Sequence, residues 1–363
     1  MQLTLRLPAG EARTSEIRIE NGLMAQLPET VRRIAGKRRV FWIWDRHVWE
    51  LWGERCRQYG WPGQTSGSVM LFAASEANKR FASVEELARE LVRAGADRGT
   101  LLVAVGGGVT GDVVGFLASI YMRGVPVFQV PTTLLGQVDS SVGGKTGVDL
   151  PEGKNLLGTF YQPGWIWMDP EFLTTLSPEL FRQGMAEVIK TAVIGDRDLW
   201  DFLVLKTDSI VNREPEALLR VVSSCAAFKA SVVEADETES GRRRILNFGH
   251  TVGHAIEKVT GYEMAHGDAV SIGMMAASTL SVALGIFSAE DADRLRELCV
   301  RWGLPVRLPS DLAPAEVVSA MQADKKRVAG DLHFILPVRI GETRECVNPD
   351  PAVLLRALDE LRG

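Results

Sequence analysis

Five histidines occur in the 363 residues, and three of them, His250, His254 and His266, fall in two short blocks. The blocks are Asn247-Phe-Gly-His-Thr-Val-Gly-His-Ala-Ile-Glu257 and Ala265-His-Gly-Asp-Ala-Val270. Imidazole is the commonest side-chain metal ligand and the usual proton carrier near neutral pH. If residues 248–258 are helical, His250 and His254 stand one turn apart on one face. That spacing suits a metal pair, or one ligand and one proton shuttle. The plainer alternative is a set of hydrogen-bonded core histidines. Glu187 and Lys190 in Gly184-Met-Ala-Glu-Val-Ile-Lys-Thr191 share a helix face at i,i+3. Their apolar neighbours indicate a buried helix rather than a solvated ion pair. Lys229 also stands among apolar residues, and Arg242-Arg243-Arg244 brings an arginine within a turn or two of Asn247 and His250.

These groups need a scaffold, and the first half of the chain supplies a legible one. Compact apolar runs at 39–44, 69–73, 101–105 and 127–133 alternate with helical patterns, the clearest at 84–93, which suggests a parallel sheet covered by helices. Leu101-Leu-Val-Ala-Val105 runs into Gly106-Gly-Gly-Val-Thr-Gly-Asp112 and then a helical pattern. Gly106, Gly108 and Gly111 satisfy GxGxxG in the strand-then-helix context that a pyrophosphate requires. No acidic residue lies about 20 positions on to take a ribose hydroxyl; Asp45, at the end of an earlier strand, is the candidate. Gly144-Lys145-Thr146 imitates an ATP-binding loop, but Asp139 stands where the first glycine of that motif belongs, so the reading fails. Lys145 and Lys154-Asn155 remain as polar groups in a glycine-rich loop.

Beyond about residue 175 helical periodicity takes over, at 178–194, 215–234, 247–258, 267–285 and 289–302, with a hairpin expected at His333-Phe-Ile-Leu-Pro337 after Asp324-Lys-Lys326. The expected fold class is an α/β N-terminal Rossmann-like nucleotide-binding domain, residues 1–175, followed by an all-α C-terminal metal-binding domain, residues 176–363. Net charge is −5, from 41 basic and 46 acidic residues. A polyanion such as nucleic acid is therefore not the expected partner, and cations for an anionic substrate must be gathered locally. The four cysteines are far apart and form no CxxC, as in a reduced, cytoplasmic protein. The alternating start, Met-Gln-Leu-Thr-Leu-Arg-Leu, suits a strand rather than a signal peptide. No run of about 18 apolar residues exists, so no membrane span is expected. Together the parts suggest metal-assisted redox on a phosphorylated or carboxylated polyol with a nicotinamide cofactor.

The chain resembles the 3-dehydroquinate synthases of the sugar-phosphate cyclase superfamily along nearly its full length. The motifs are GGGVTGDVVGFLAS (106–119), YMRGVPVFQVPTTLLGQVDSSVGGKTGVD (121–149), KNLLGTFYQP (154–163), GMAEVIK (184–190), LNFGHTVGHAIE (246–257) and HGDAVSIGM (266–274). The resemblance implies a homodimer with an N-terminal NAD domain and a helical metal domain. Glu187, His250 and His266 would ligate Zn²⁺ or Co²⁺, and His254 would be an acid/base or substrate group. The implied substrate is 3-deoxy-D-arabino-heptulosonate 7-phosphate, converted to 3-dehydroquinate and phosphate by transient oxidation, elimination, re-reduction and aldol closure. Matching positions imply substrate contacts from Lys145, Asn155, Lys190, Lys229, Arg243, Asn247 and Lys325 or Lys326, with Arg123 reaching a phosphate across a dimer. Cofactor contacts would come from Asp45, Glu76, Lys79, Gly107, Gly108, Val109, Thr110, Gly111, Asp112, Thr132, Thr133, Asp139, Lys145, Lys154, Phe172 and Thr175. Asp268 stands where the family usually has Glu. Related cyclases acting on substrates without a carboxylate tend to alter the positions of Lys229, Arg243 and Asn247, all kept here. A related sugar-phosphate cyclase or a metal-dependent polyol dehydrogenase of the same fold is the competing expectation.

Overall fold

The computed structural model describes residues 14–328 and 330–362, apart from the side chains of 324–328. The strand expected at residues 1–7, and the side chains of Lys325 and Lys326, lie outside the described residues. In chain order the elements are β1 (Glu16–Ile19), α1 (Leu27–Ala35), β2 (Val40–Asp45), α2 (Arg46–Gln58), β3 (Val69–Phe72), α3 (Phe81–Arg93), β4 (Leu101–Gly106), α4 (Gly108–Ile120) and β5 (Val127–Pro131). They continue with β6 (Lys145–Leu150), β7 (Gly153–Phe160), β8 (Trp165–Met168), α5 (Pro178–Gly195), α6 (Arg197–Leu205), α7 (Thr207–Val211), α8 (Pro215–Ala235), α9 (His250–Val259) and α10 (His266–Ala283). The chain closes with α11 (Ala289–Arg301), α12 (Pro314–Val328), β9 (His333–Arg339), β10 (Glu342–Val347) and α13 (Pro351–Asp359).

Six strands form one sheet in the order β1-β8-β5-β4-β2-β3, every pairing parallel. A parallel sheet is covered on both faces, so its central strands are apolar throughout rather than alternating. Accordingly all six residues of β4 are buried. Two short strands, the alternating β1 (Glu-Ile-Arg-Ile) and the apolar β8 (Trp-Ile-Trp-Met), complete the sheet. The loop expected around Gly144–Asn155 is instead the antiparallel hairpin β6–β7, with Asn155 at φ 55°. The helical half carries the expected hairpin as β9–β10. Its core includes Leu134, Val138, Val142, Ile166 and Met168 from the sheet half, so hydrophobic packing runs continuously from one half to the other.

Three helices of the second half approach unusually closely, and glycine makes this possible. A Cβ on Gly273 of α10 would lie 1.9 Å from the Gly249 carbonyl oxygen, and one on Gly267 would lie 2.4 Å from the Gln183 carbonyl oxygen of α5. Gly249 itself sits at φ +78°, a left-handed conformation that starts α9 at His250. α5 begins with Ser177, whose hydroxyl accepts the Leu180 N–H, and with Pro178 at its first position. The resulting α5–α9–α10 packing sets the positions of Glu187, His250 and His266.

Candidate active site

Glu187 is 1% exposed, and neither carboxylate oxygen has a hydrogen bond of regular geometry. His250 Nε2 lies 3.6 Å and His266 Nε2 3.5 Å from Glu187 Oε1. A tetrahedral Zn²⁺ with bonds of about 2.0–2.1 Å separates its ligand atoms by about 3.4 Å, so each imidazole already stands near that separation from Glu187. Among the described residues, donor atoms lie within 4.8 Å of one another in this trio and in a second one, His254–Glu257–His266. His250 and His254 do sit one turn apart, with ring centroids 5.3 Å apart, yet neither trio contains both. The helix begins at His250, not at 248, so His250 reaches back toward α5 while His254 is exposed.

The tautomers follow from the second hydrogen bonds. His250 Nδ1 donates to the Phe248 carbonyl (3.1 Å) and His266 Nδ1 to Glu257 Oε2 (3.4 Å), which leaves both Nε2 atoms free for an ion. Burial pushes Glu187 toward neutrality, but Lys190 and the two imidazoles outweigh it and hold the carboxyl well below its usual range. Burial and then Lys190 push His250 down to about 3. For His266 burial acts downward, but the adjacent Glu187 and Glu257 carboxylates prevail and raise it to about 9. An anionic ligand with one neutral imidazole beside it, and a second imidazole that must shed a proton, is a donor set suited to a divalent cation.

A cation cluster adjoins this trio. Lys190, 2% exposed, pairs with Glu187 and stands 3.9 Å from Asp139 Oδ1. Lys229 Nζ is 2.7 Å from the same Asp139 oxygen and donates to the Asp139 carbonyl at 2.6 Å. Arg243, 2% exposed, donates to the Gly143 and Glu237 carbonyls, while its Nε has no partner. Glu239 pairs with Lys145 and accepts the Asn247 amide at 2.6 Å. Burial lowers the Lys229 ammonium despite Asp139, whereas for Lys190 burial is outweighed by Glu187 and Asp139, and its pKa is raised. Asp268, bidentate to Arg182 at 2.6 and 3.0 Å, ties α10 to α5 rather than facing the trio.

The cofactor positions gather around the glycine turn. A cleft over the carboxyl ends of β4 and β5 is lined by Gly106, Gly107, Gly108, Gly111, Ser140 and Ser141 among others. The first turn of α4, with Val109, Thr110, Gly111 and Asp112, borders it. A Cβ on Gly106 would meet Thr110 Oγ1 at 2.4 Å, and one on Gly107 would meet Thr133 Cγ2 at 2.8 Å, so the cleft exists only with glycine there. The buried hydroxyls of Thr110 and Thr132 have no partner. Asp45 ends β2 with its Cβ 3.0 Å from that same Gly106 Cβ, but its carboxylate already accepts the His47 N–H. Lys79, 7% exposed, pairs with Asp112 (2.7 Å) and donates to Asn155 Oδ1 (2.6 Å); Glu76 is exposed nearby in sequence. Asn155 thus meets Lys79, not the Lys190–Lys229 cluster.

Phe172, Thr175 and Arg123 are not among the residues that line the glycine cleft. The Phe172 ring is 2% exposed and packs edge-on against Trp52, which leaves its backbone as the part that could face a cofactor. Thr175 accepts the Trp52 indole N–H at 2.7 Å. Arg123 is exposed beyond α4, whose 13 residues carry the chain about 20 Å from the glycine turn; within one subunit it does not join the cluster. Asp139 and Ser140 join the two regions: Ser140 lines the cleft while Asp139 holds Lys229 and Lys190. Glu257 and Glu239 were not singled out in sequence as site residues. Each holds polar groups of the site, and only their place in the blocks 246–257 and 239–247 hinted at it.

Both halves of the chain are similar to known proteins. Residues 69–183 match the family "3-dehydroquinate synthase N-terminal" and residues 184–327 "3-dehydroquinate synthase C-terminal". A 3-dehydroquinate synthase of Gloeobacter violaceus is 42% identical over 99% of this chain and 100% of its own. Among solved structures, 2-epi-5-epi-valiolone synthase from Streptomyces hygroscopicus, with NAD⁺ and Zn²⁺ bound, superposes with a TM-score of 0.89 at 29% identity, covering 98% and 99% of the two chains. A 2-deoxy-scyllo-inosose synthase complexed with carbaglucose-6-phosphate, NAD⁺ and Co²⁺ gives 0.82 at 26% identity, covering 95% and 96%. With both family halves matched in order and a full-length relative at this identity, the chain belongs to the 3-dehydroquinate synthase family.

Proposed function

We propose that this enzyme converts 3-deoxy-D-arabino-heptulosonate 7-phosphate into 3-dehydroquinate and inorganic phosphate, a carbon–oxygen lyase reaction, with NAD and a divalent ion, Zn²⁺ or Co²⁺. The observation that carries the reading is the convergence of the Glu187–His250–His266 trio with four buried or half-buried polar groups, Lys190, Lys229, Arg243 and Asn247. When bound, NAD⁺ supplies reversible hydride acceptance and the ion supplies Lewis-acid polarisation of a substrate oxygen. The glycine cleft takes the pyrophosphate, with Thr132, Thr133 and the first turn of α4 around it. Lys190, Lys229, Arg243, Lys145 and Asn247 hold the substrate's carboxylate and phosphate, which displace Asp139 and Glu239 as counter-ions. His254, exposed and one turn from His250, moves a proton between substrate and solvent.

Residues 1–175 form the cofactor unit and 176–363 the metal and substrate unit. The enzyme is a cytoplasmic homodimer. Ile120, Met122, Leu156, Leu157 and Phe160 leave apolar side chains exposed on neighbouring elements, α4 and β7 being joined by the Thr159–Ser119 hydroxyl bond. This face suits a second copy, from which Arg123 would reach the partner's phosphate. Retention of Lys229, Arg243 and Asn247 favours the carboxylated substrate over those of related cyclases.

The test is to incubate the Zn²⁺-loaded enzyme, a trace of NAD⁺ and the heptulosonate phosphate. Phosphate should be released in many-fold excess over NAD⁺ without NADH accumulating. Accumulating NADH would mean a polyol dehydrogenase, and no phosphate from folded, metal-loaded protein would refute the reading.

A further inference from the structure

Glu257 has a place in the fold that the reaction above does not use. It lies on α9, 2% exposed, and its two oxygens face opposite halves of the molecule. Oε2 accepts from Nδ1 of His266 on α10 at 3.4 Å. Oε1 pairs with Lys154 of the β6–β7 hairpin at 2.9 Å. The Lys154 ammonium also lies 5.1 Å from the centroid of the Tyr262 ring. Tyr262, in the turn between α9 and α10, is held at φ 65°, and its N–H bonds to the Glu257 carbonyl. A buried carboxylate is retained where it is paired on every side, and here the pairs run from the hairpin to the imidazole facing Glu187.

We propose that Glu257 is a positioning residue that couples the metal site to the cofactor hairpin. One oxygen fixes the tautomer and orientation of His266, and the other is held by Lys154. Groups that orient a ligating imidazole commonly change metal affinity 10–100-fold when removed. A phosphate that draws Lys154 away loosens the carboxylate and, through it, His266. By linkage, the ion changes the affinity for that phosphate by the same factor. The inference rests on the metal and cofactor assignments above and adds to them that the two sites communicate through one side chain.

The test measures Co²⁺ affinity by competition with a chromophoric chelator, and the visible Co²⁺ spectrum, with and without NAD⁺. The proteins are the unaltered enzyme, Glu257→Gln, Lys154→Met and the double variant. Glu257→Gln should weaken Co²⁺ binding about 10–100-fold and shift the visible bands. Lys154→Met should weaken it several-fold and add nothing in the Glu257→Gln background. NAD⁺ should alter Co²⁺ affinity in the unaltered enzyme and not in either single variant. Unchanged affinity and spectrum in Glu257→Gln, or additive effects in the double variant, would overturn the coupling. If Glu257→Gln does not fold, Lys154→Met and the NAD⁺ effect decide the matter alone. His250→Ala separates the two levels. If it leaves Co²⁺ bound, the metal assignment itself has failed; if it releases Co²⁺ while Glu257→Gln does not, only the coupling has.

Discussion

The glycine cleft and the metal trio adjoin through Asp139 and Ser140, yet they are built by opposite means. The cleft is lined by the glycine turn 106–111 and two nearby stretches of the same half, 129–131 and 136–141, with Thr133 packed against Gly107. It works by the absence of side chains and by neutral backbone groups at the start of α4. The trio draws one residue each from α5, α9 and α10 and is dense in charge, with Glu187 and Lys190 both nearly inaccessible. A site made from local backbone is exposed to changes of shape. A site made from distant charged groups is exposed to changes in helix packing and protonation.

The largest effect should come from Glu187→Gln. Removing the anionic ligand should abolish stoichiometric metal and lower turnover by more than about 10³-fold, beyond the effect of an outer-shell group, while NAD⁺ affinity stays within about twofold by calorimetry. Gly273→Ala touches no ligand, but its Cβ would meet the Gly249 carbonyl oxygen. Forcing α9 from α10 should cost about 1–3 kcal/mol or more, read as a lower Tm together with lost metal and retained cofactor binding. Arg243→Ala should weaken substrate binding about 10–100-fold, as expected for charge-assisted hydrogen bonds, and spare NAD⁺; equal loss of both would make this arginine structural. Gly106→Ala is its mirror image. With its Cβ driven against Thr110, NAD⁺ affinity should fall about tenfold while the protein still holds one metal ion.

A change of pH alters no side chain but acts on the trio alone. In the metal-free protein His266 keeps its proton up to about pH 9, and an ion takes only the neutral ring. Binding therefore expels about one proton, and metal affinity should rise about tenfold per unit as pH climbs from 7 toward 9, then level off. His250, already neutral, adds no slope in that range. Calorimetry in buffers of different ionisation enthalpy would check the proton count; a pH-independent affinity would show that His266 is not a ligand.

The cleft was the more legible of the two regions, because strand, glycine turn and helix follow one another in the chain and periodicity reveals each. The trio was not legible from spacing. His250 and His254 advertise a pair at i,i+4, whereas the structure sets His250 beside Glu187, which lies 63 positions earlier by number. Helix spacing marked Glu187 only as a buried partner of Lys190, and only the family motifs marked it as a ligand. Glu257 escaped notice because a glutamate at the end of an amphipathic helix looks solvated until the hairpin is packed over it. The hairpin itself read as a loop, since β6–β7 is rich in glycine and its outer strand is exposed.

Anomalous diffraction at the metal absorption edge, on crystals grown with Zn²⁺ and NAD⁺, tests the central claim most directly. The account predicts one strong peak about 2.0–2.2 Å from a Glu187 oxygen and from Nε2 of both His250 and His266. A peak centred instead among His254, Glu257 and His266, or none in this helix cluster, would contradict it.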